Sequence, residues 1–207
     1  MELTDLKKTL DAKLTKPFSA RVLLDNLRLI DESSRKTSAY SDPLYIPFYF
    51  HLGQCVQAKN VAEFGIRLGL FTSAFLKGCK TVENVLGFQE KAEEYYSPRL
   101  GRANVLQNAR RHTPVNIYVG TLHDDEFTDL FQRNKWDVVI FNEETGYDKH
   151  LAYLDFVWPQ MELNGYIVMD YIVRHQPARQ AFFDFCKGKN REPVTFDTRY
   201  GAGIIER

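Results

Sequence analysis

The sequence has little cysteine. Three residues in 207 (Cys55, Cys79 and Cys186) form no metal-binding spacing and no even disulfide set. This argues against a disulfide scaffold and a zinc ribbon, and it leads us to expect a reducing, cytoplasmic setting. The chain also lacks an excess of either charge, with 27 Lys plus Arg against 27 Asp plus Glu. Bulk attraction to phosphate is therefore absent, and no nucleic-acid partner is expected. No apolar run approaches the roughly 18 residues of a membrane-spanning helix, so no membrane partner is expected. The N-terminal stretch MELTDLKKTLDAKL is amphipathic and lacks the apolar segment of a signal peptide. Internal repeats and low-complexity linkers are missing too.

What is present can fold. Hydrophobic residues make up 44% and aromatics 14%, enough for a real core. The length suits one domain with a short appendage. We expect a helical cap over residues 1–58 and an α/β domain over 59–207.

Leu3, Leu6, Leu10 and Leu14 fall at helical spacing, and Pro17 ends that pattern. A second helix is expected over 19–34, with Val22, Leu23, Leu27 and Ile30 on one face. Residues 35–47 read as turn material, and a short helix follows over 47–58. Tyr40, Tyr45 and Tyr49, with Phe48 and Phe50, either line an aromatic substrate pocket or pack the cap on the sheet.

From residue 60 onward, short apolar strands alternate with helix-length segments. Strands are expected at 60–65, 84–89, 116–120, 136–142 and 165–171, with helices at 69–77, 98–112, 125–133 and 148–161. Ser97 and Pro98 make a good helix start. Strand spacing of about 20–30 residues is βαβ spacing, which implies a mostly parallel sheet covered on both faces. Apolar runs such as DVVIF and GYIVM fit strands buried on both sides. A last helix at 177–186 precedes strands at 194–198 and 202–206, and so short a connection makes that pair antiparallel. The predicted fold class is α/β: a doubly wound, Rossmann-like, mostly parallel sheet with a C-terminal antiparallel hairpin and an N-terminal helical cap.

Ligands of such sheets bind beyond the carboxyl ends of the strands. The first strand-to-helix turn there reads Glu63-Phe64-Gly65-Ile66-Arg67-Leu68-Gly69-Leu70-Phe71-Thr72. Its two glycines permit close backbone approach, unless they serve chain reversal alone. Arg67 holds the place of the middle glycine in G-x-G-x-x-G, and no G-K-[ST] follows. A nicotinamide-dependent oxidoreductase and a P-loop are therefore disfavoured. The acid at the strand end suits an ammonium better than a pyrophosphate.

AEFGIRLGLFTS resembles the first motif of class I S-adenosylmethionine (SAM)-dependent methyltransferases. It is most similar to the E-x-G-x-x-x-G-x-[ST] form of the small O-methyltransferases related to catechol O-methyltransferase. Glu63, Gly65, Gly69 and Thr72 carry the likeness. The expected order of elements resembles that family from residue 60 to the C-terminus, roughly 70% of the chain. The resemblance implies SAM as cofactor, with the glycine turn under its amino-acid end. It places Gln89 at the position of the ribose-binding acid, with Glu90 one residue later as a substitute. It places Thr121 near the adenine and Asn142 beside the sulfonium.

Metal-dependent members of the family use two Asp and one Asn at strand ends. The matching positions here read Asn142, Asp170 and Tyr171, so no catalytic divalent metal is expected. Candidate general bases are Asp170, Glu143 and His175, with Glu144 beside them. Asp170 reads equally as a loop cap, and His175 as a surface residue at a helix start. Arg99, Arg102, Arg110 and Arg111 read as a solvated helix face. The resemblance thus implies methyl transfer to a small-molecule acceptor, through a hydroxyl. The alternative is a methyltransferase-fold protein that binds without catalysing. The family often forms dimers, so a homodimer is an expectation as well.

Overall fold

The structure is a computed structural model that describes residues 1–15, 44–90 and 98–207. Along these residues run α1 (Leu3–Leu14), α2 (Tyr45–Cys55), β1 (Asn60–Phe64), α3 (Leu70–Gly78), β2 (Asn84–Glu90), α4 (Pro98–Asn108), β3 (Val115–Gly120) and α5 (Asp125–Gln132). Then follow β4 (Trp136–Phe141), α6 (Tyr147–Val157), β5 (Met161–Met169), α7 (Gln176–Gly188), β6 (Val194–Phe196) and β7 (Ala202–Glu206). The helix expected over 19–34, the turn with Tyr40 and the cap at Ser97 lie outside the described residues.

The seven strands form one sheet in the order β3-β2-β1-β4-β5-β7-β6. The first five are parallel, with Val61 opposite both Val85 and Val138. β7 runs antiparallel between β5 and β6. The strand alternation decides what each face buries. Val61, Val138, Ile140 and Val168 join Leu6, Leu10, Phe48, Leu52, Phe75 and Val105 on the face of α1 to α4. Ala62, Phe64, Val139, Phe141 and Ile167 join Phe127, Leu154 and Phe182 on the face of α5 to α7. Phe64 sits at the centre of the second layer, its ring 4.9 Å from Phe141 and 5.3 Å from Phe88. Burying one such ring contributes about 1.5–3 kcal/mol.

Three boundaries differ from the sequence expectation for identifiable reasons. The helix over 148–161 stops at Val157, because Pro159 turns the next three residues into a 3₁₀ segment, Trp158–Gln160. β5 then begins at Met161, four residues before the expected start, and pairs there with Trp136 before a register shift. Glu162, Leu163 and Asn164 are exposed within it, so no apolar run marks that stretch. Likewise α4 ends at Asn108, and residues 109–114 form a turn closed by Thr113 N–H donating to the Arg110 carbonyl.

Candidate active site

The carboxyl ends of β1, β2, β4 and β5 converge on the turn between β1 and α3. Strand alternation sends Phe64 into the aromatic layer and Glu63 to the opposite face, towards α3. Glu63 is fully buried, and its Oε2 accepts from the Thr72 backbone N–H at 3.1 Å and from the Thr72 hydroxyl. Its Oε1 accepts from Asn142 Nδ2 at 3.3 Å. One carboxyl thus ties the end of β1 to the first turn of α3 and to the end of β4. Burial pushes its pKa up to about 8, against the opposing pull of those donors. Thr72 stands three residues after Gly69, one more than the family spacing allows, yet its hydroxyl reaches Glu63.

The turn holds three residues at positive φ: Gly65 (79°), Arg67 (44°) and Gly69 (66°). A Cβ on Gly65 would lie 2.4 Å from the Asn142 carbonyl oxygen and 2.4 Å from Glu143 Cγ. One on Gly69 would lie 2.6 Å from Val105 Cγ2. Both positions therefore need glycine for space as well as for φ. Asn104 Nδ2 holds the turn from α4 by donating to the Leu68 carbonyl at 2.9 Å. Gly87 in β2 leaves room for Ile66, whose Cδ1 lies 2.3 Å from where a Cβ would be. Gly87 is the signal for this contact in the sequence, since a glycine inside a buried strand marks close approach.

Gln89, at the expected ribose position, is buried, and its Oε1 accepts from the Arg67 backbone N–H at 3.1 Å. Glu90 is ion-paired with Lys149 of α6. Glu143 is buried against Gly65. Asn142 is buried, and its Nδ2 also donates to the Gly65 carbonyl at 3.2 Å. Both Nδ2 partners are acceptors, which fixes the orientation of the amide. Its Oδ1 has no hydrogen-bond partner among the described residues.

Asp170 is fully buried at the end of β5, where its Oδ2 accepts from the Tyr45 hydroxyl of α2. Burial pushes its pKa up to about 7, against the donors around it and the positive charge of Arg67. Tyr45 packs edge-on against Tyr200 and Phe71, with centroids 5.1 and 4.9 Å away, and Tyr171 stacks on Tyr200 at 5.2 Å. Tyr45, Phe48 and Tyr49 are all buried and pack α2 on the sheet. Nothing in the local sequence pairs Tyr45 with a residue 125 positions away.

Thr121 and His175 have local partners of their own. The Thr121 hydroxyl and backbone N–H each donate to the Asp124 carboxylate at 2.8 Å, and Thr121 is exposed. His175 caps α7, its Nδ1 accepting from the Ala178 N–H at 3.3 Å. The site therefore brings together Glu63, Gly65, Gly69, Thr72, Gln89, Asn142 and Glu143, with Asp170 behind them.

A cavity of about 100 Å³ opens above the turn, lined by Ile66, Arg67, Leu68, Leu70, Phe71, Asn142 and Tyr171. Asn142 lines this cavity, and its buried, orphaned Oδ1 fits the ammonium of an amino-acid moiety. The positions that a metal-dependent relative would use have partners within the chain. Asp170 is engaged by Tyr45 and Asn142 by Glu63. Among the described residues, no three His, Cys, Asp or Glu are grouped to hold an ion.

No family model matches the sequence, and neither does any curated protein. Solved structures do match. An O-methyltransferase from Bacillus cereus in complex with S-adenosylhomocysteine (SAH) has a TM-score of 0.69 and 14% identity, over 98% of this chain and 100% of that one. TomG, an O-methyltransferase from Streptomyces achromogenes involved in tomaymycin synthesis and solved with SAM, has a TM-score of 0.65 and 13% identity, over 100% and 98%. An SAH-bound methyltransferase from Podospora anserina has a TM-score of 0.62 and 14% identity, over 100% and 96%. No helix among the described residues is long and apolar enough to cross a membrane. The chain has the Rossmann-like fold of class I SAM-dependent O-methyltransferases.

Proposed function

We propose that this protein binds SAM above the turn after β1 and transfers its methyl group to a hydroxyl of a small-molecule acceptor. The observation that carries the reading is the Glu63 clasp. One buried carboxyl fixes α3, β4 and the glycine turn around a single point, and Asn142 Oδ1 is left as an acceptor there. Bound SAM would supply a methyl group activated by a sulfonium. The chain's part is placement, which matters most for an in-line displacement. Gly65 and Gly69 let the backbone come close, and Asn142 accepts from the amino end of the ligand. Gln89 and Glu90 lie on the ribose side, with Thr121 towards the adenine. Asp170 is the proton acceptor in this reading, since a carboxyl with a pKa near neutrality suits that task. Asp170 already accepts from the Tyr45 hydroxyl, which supports a metal-independent reaction in this reading. Glu143, against the glycine turn, and His175, at the start of α7, are the other bases to test.

The reading is tested by calorimetric titration with SAM and SAH. Micromolar binding supports it, and the acceptor search then starts with small hydroxylated aromatics. Absence of binding up to millimolar ligand overturns it. A second reading, binding without turnover, draws support from Gln89. That residue is neutral where an acid would grip the ribose, and its carbonyl oxygen is engaged by Arg67. SAH binding combined with no methyl transfer to any hydroxylated acceptor would favour it.

A further inference from the structure

The cavity above the turn has a particular chemistry. Its walls are mostly apolar: Ile66, Leu68, Leu70, Phe71 and the ring of Tyr171. Among the described residues, Arg67 is the one charged side chain lining it, and Asn142 lines it too, its Oδ1 buried and without a hydrogen-bond partner. In such surroundings a guanidinium interacts with an anion more strongly than it does in water. Its planar donors also match a carboxylate in a two-point contact. The volume of about 100 Å³ is well below the roughly 300–1,000 Å³ of pockets that hold whole small molecules, so the cavity takes one end of a ligand.

The position of Arg67 is not incidental. A non-glycine residue at φ 44° is uncommon, and here its backbone is held by the Gln89 side chain. The Nδ2 of Asn142 is likewise held by Glu63 and the Gly65 carbonyl. Arg67, held by its backbone, and Asn142, held through Nδ2, thus share the wall of one small cavity. The complementary ligand carries an anion and an N–H donor on neighbouring atoms.

We infer that Arg67 is the carboxylate-recognising residue of this cavity, pairing the α-carboxylate of an amino-acid moiety while Asn142 Oδ1 accepts from its ammonium group. The inference rests on the reading above, that the occupant is the amino-acid end of SAM, and it adds the residue that makes the site select for the carboxylate. The same guanidinium would serve a carboxylate on the methyl acceptor, and the test separates the two sources.

The experiment is calorimetry with SAH and with its decarboxylated analogue, S-adenosyl-3-thiopropylamine, on the parent protein and on Arg67→Gln and Arg67→Lys. A charge-assisted pair in a mostly apolar cavity is worth roughly 10- to 100-fold in affinity. The parent should bind the decarboxylated analogue weaker by that factor. Arg67→Gln should weaken SAH by a similar factor and leave the analogue within about twofold, and Arg67→Lys should recover part of the loss. Equal affinity of the parent for both ligands overturns the inference and points to a carboxylate on the acceptor, with cofactor binding intact. Equal weakening of both ligands by Arg67→Gln also overturns it, because Arg67 would then only shape the turn. Should that variant fail to fold, the two ligands on the parent protein decide. Binding of neither ligand by the parent overturns this inference and the proposed function together.

Discussion

Replacing Gly65 by alanine tests the geometry of the turn directly. Two costs add. An L-residue at a φ of 79° gives up about 1–2 kcal/mol to left-handed strain. The new Cβ would also meet the Asn142 carbonyl oxygen and Glu143 Cγ, both at 2.4 Å. The carbonyl belongs to backbone that cannot retreat easily, since the Asn142 N–H donates to the Phe64 carbonyl at 2.8 Å. Overpacking of this kind costs about 1–3 kcal/mol. The sum is about 2–5 kcal/mol, or a fall of roughly 4–20 °C in Tm for a chain of this length. The assay is a thermal melt followed by circular dichroism, with SAH titration on the same sample. Gly188→Ala is the control, because a Cβ there meets nothing within 4 Å at the end of α7. It should stabilise by about 0.4–1 kcal/mol through the unfolded chain. A Gly65→Ala protein that melts within a degree of the parent and binds SAH equally would refute the close approach of β4 to the turn.

Three further outcomes follow from the site. Glu63 and Asp170 have folded-state pKa values of about 8 and about 7, above the ordinary carboxylate range. The native state therefore holds more protons than the unfolded one in that window, and their contribution to stability falls as pH rises from about 4 through 8. Urea midpoints measured across that range should show the decline flattened in Glu63→Gln, and parallel curves for parent and variant would sink the argument. Tyr45→Phe removes a donor from the buried Asp170 carboxyl, which should cost about 1–3 kcal/mol in urea denaturation. A midpoint equal to the parent's would mean the hydroxyl contributes nothing there. Methyl transfer to a hydroxylated acceptor should continue unchanged in EDTA, and loss on chelation restored by magnesium would overturn the metal-independent assignment.

The strands were legible because parallel strands buried on both faces leave unbroken apolar runs. In β4, Val138 and Ile140 pack on one side while Val139 and Phe141 pack on the other, so the run VVIF after Asp137 carries no polar interruption. The first residues of β5 failed that test, since Leu163 is 77% exposed between Glu162 and Asn164. The glycine turn was legible because its acid, its two glycines and its threonine lie within ten residues. The pairing of Asp170 with Tyr45 was not, because only the folded chain brings α2 over the end of β5. Tyrosines at helical spacing look the same in a core as in a pocket, and here Tyr45 belongs to the core while its hydroxyl caps a strand-end acid.

That difference bears on how the site divides its work. The acid of the first motif invites a role against a ligand ammonium. In the fold, both oxygens of Glu63 are engaged by Thr72 and Asn142, and the side chain is fully buried. The neighbour that lines the cavity is Asn142 instead. Its Nδ2 can donate to Glu63 only if its Oδ1 faces the other way, so the carboxyl sets the direction of the acceptor. A similar hand-over occurs on the neighbouring strand. Gln89 does not line the cavity, but its Oε1 holds the Arg67 backbone and so helps to fix the residue that does. Motif residues in this chain thus act one bond behind the surface they define. A search for ligand contacts should therefore weigh Asn142 and Arg67 ahead of Glu63 and Gln89, and treat the latter pair as positioning residues.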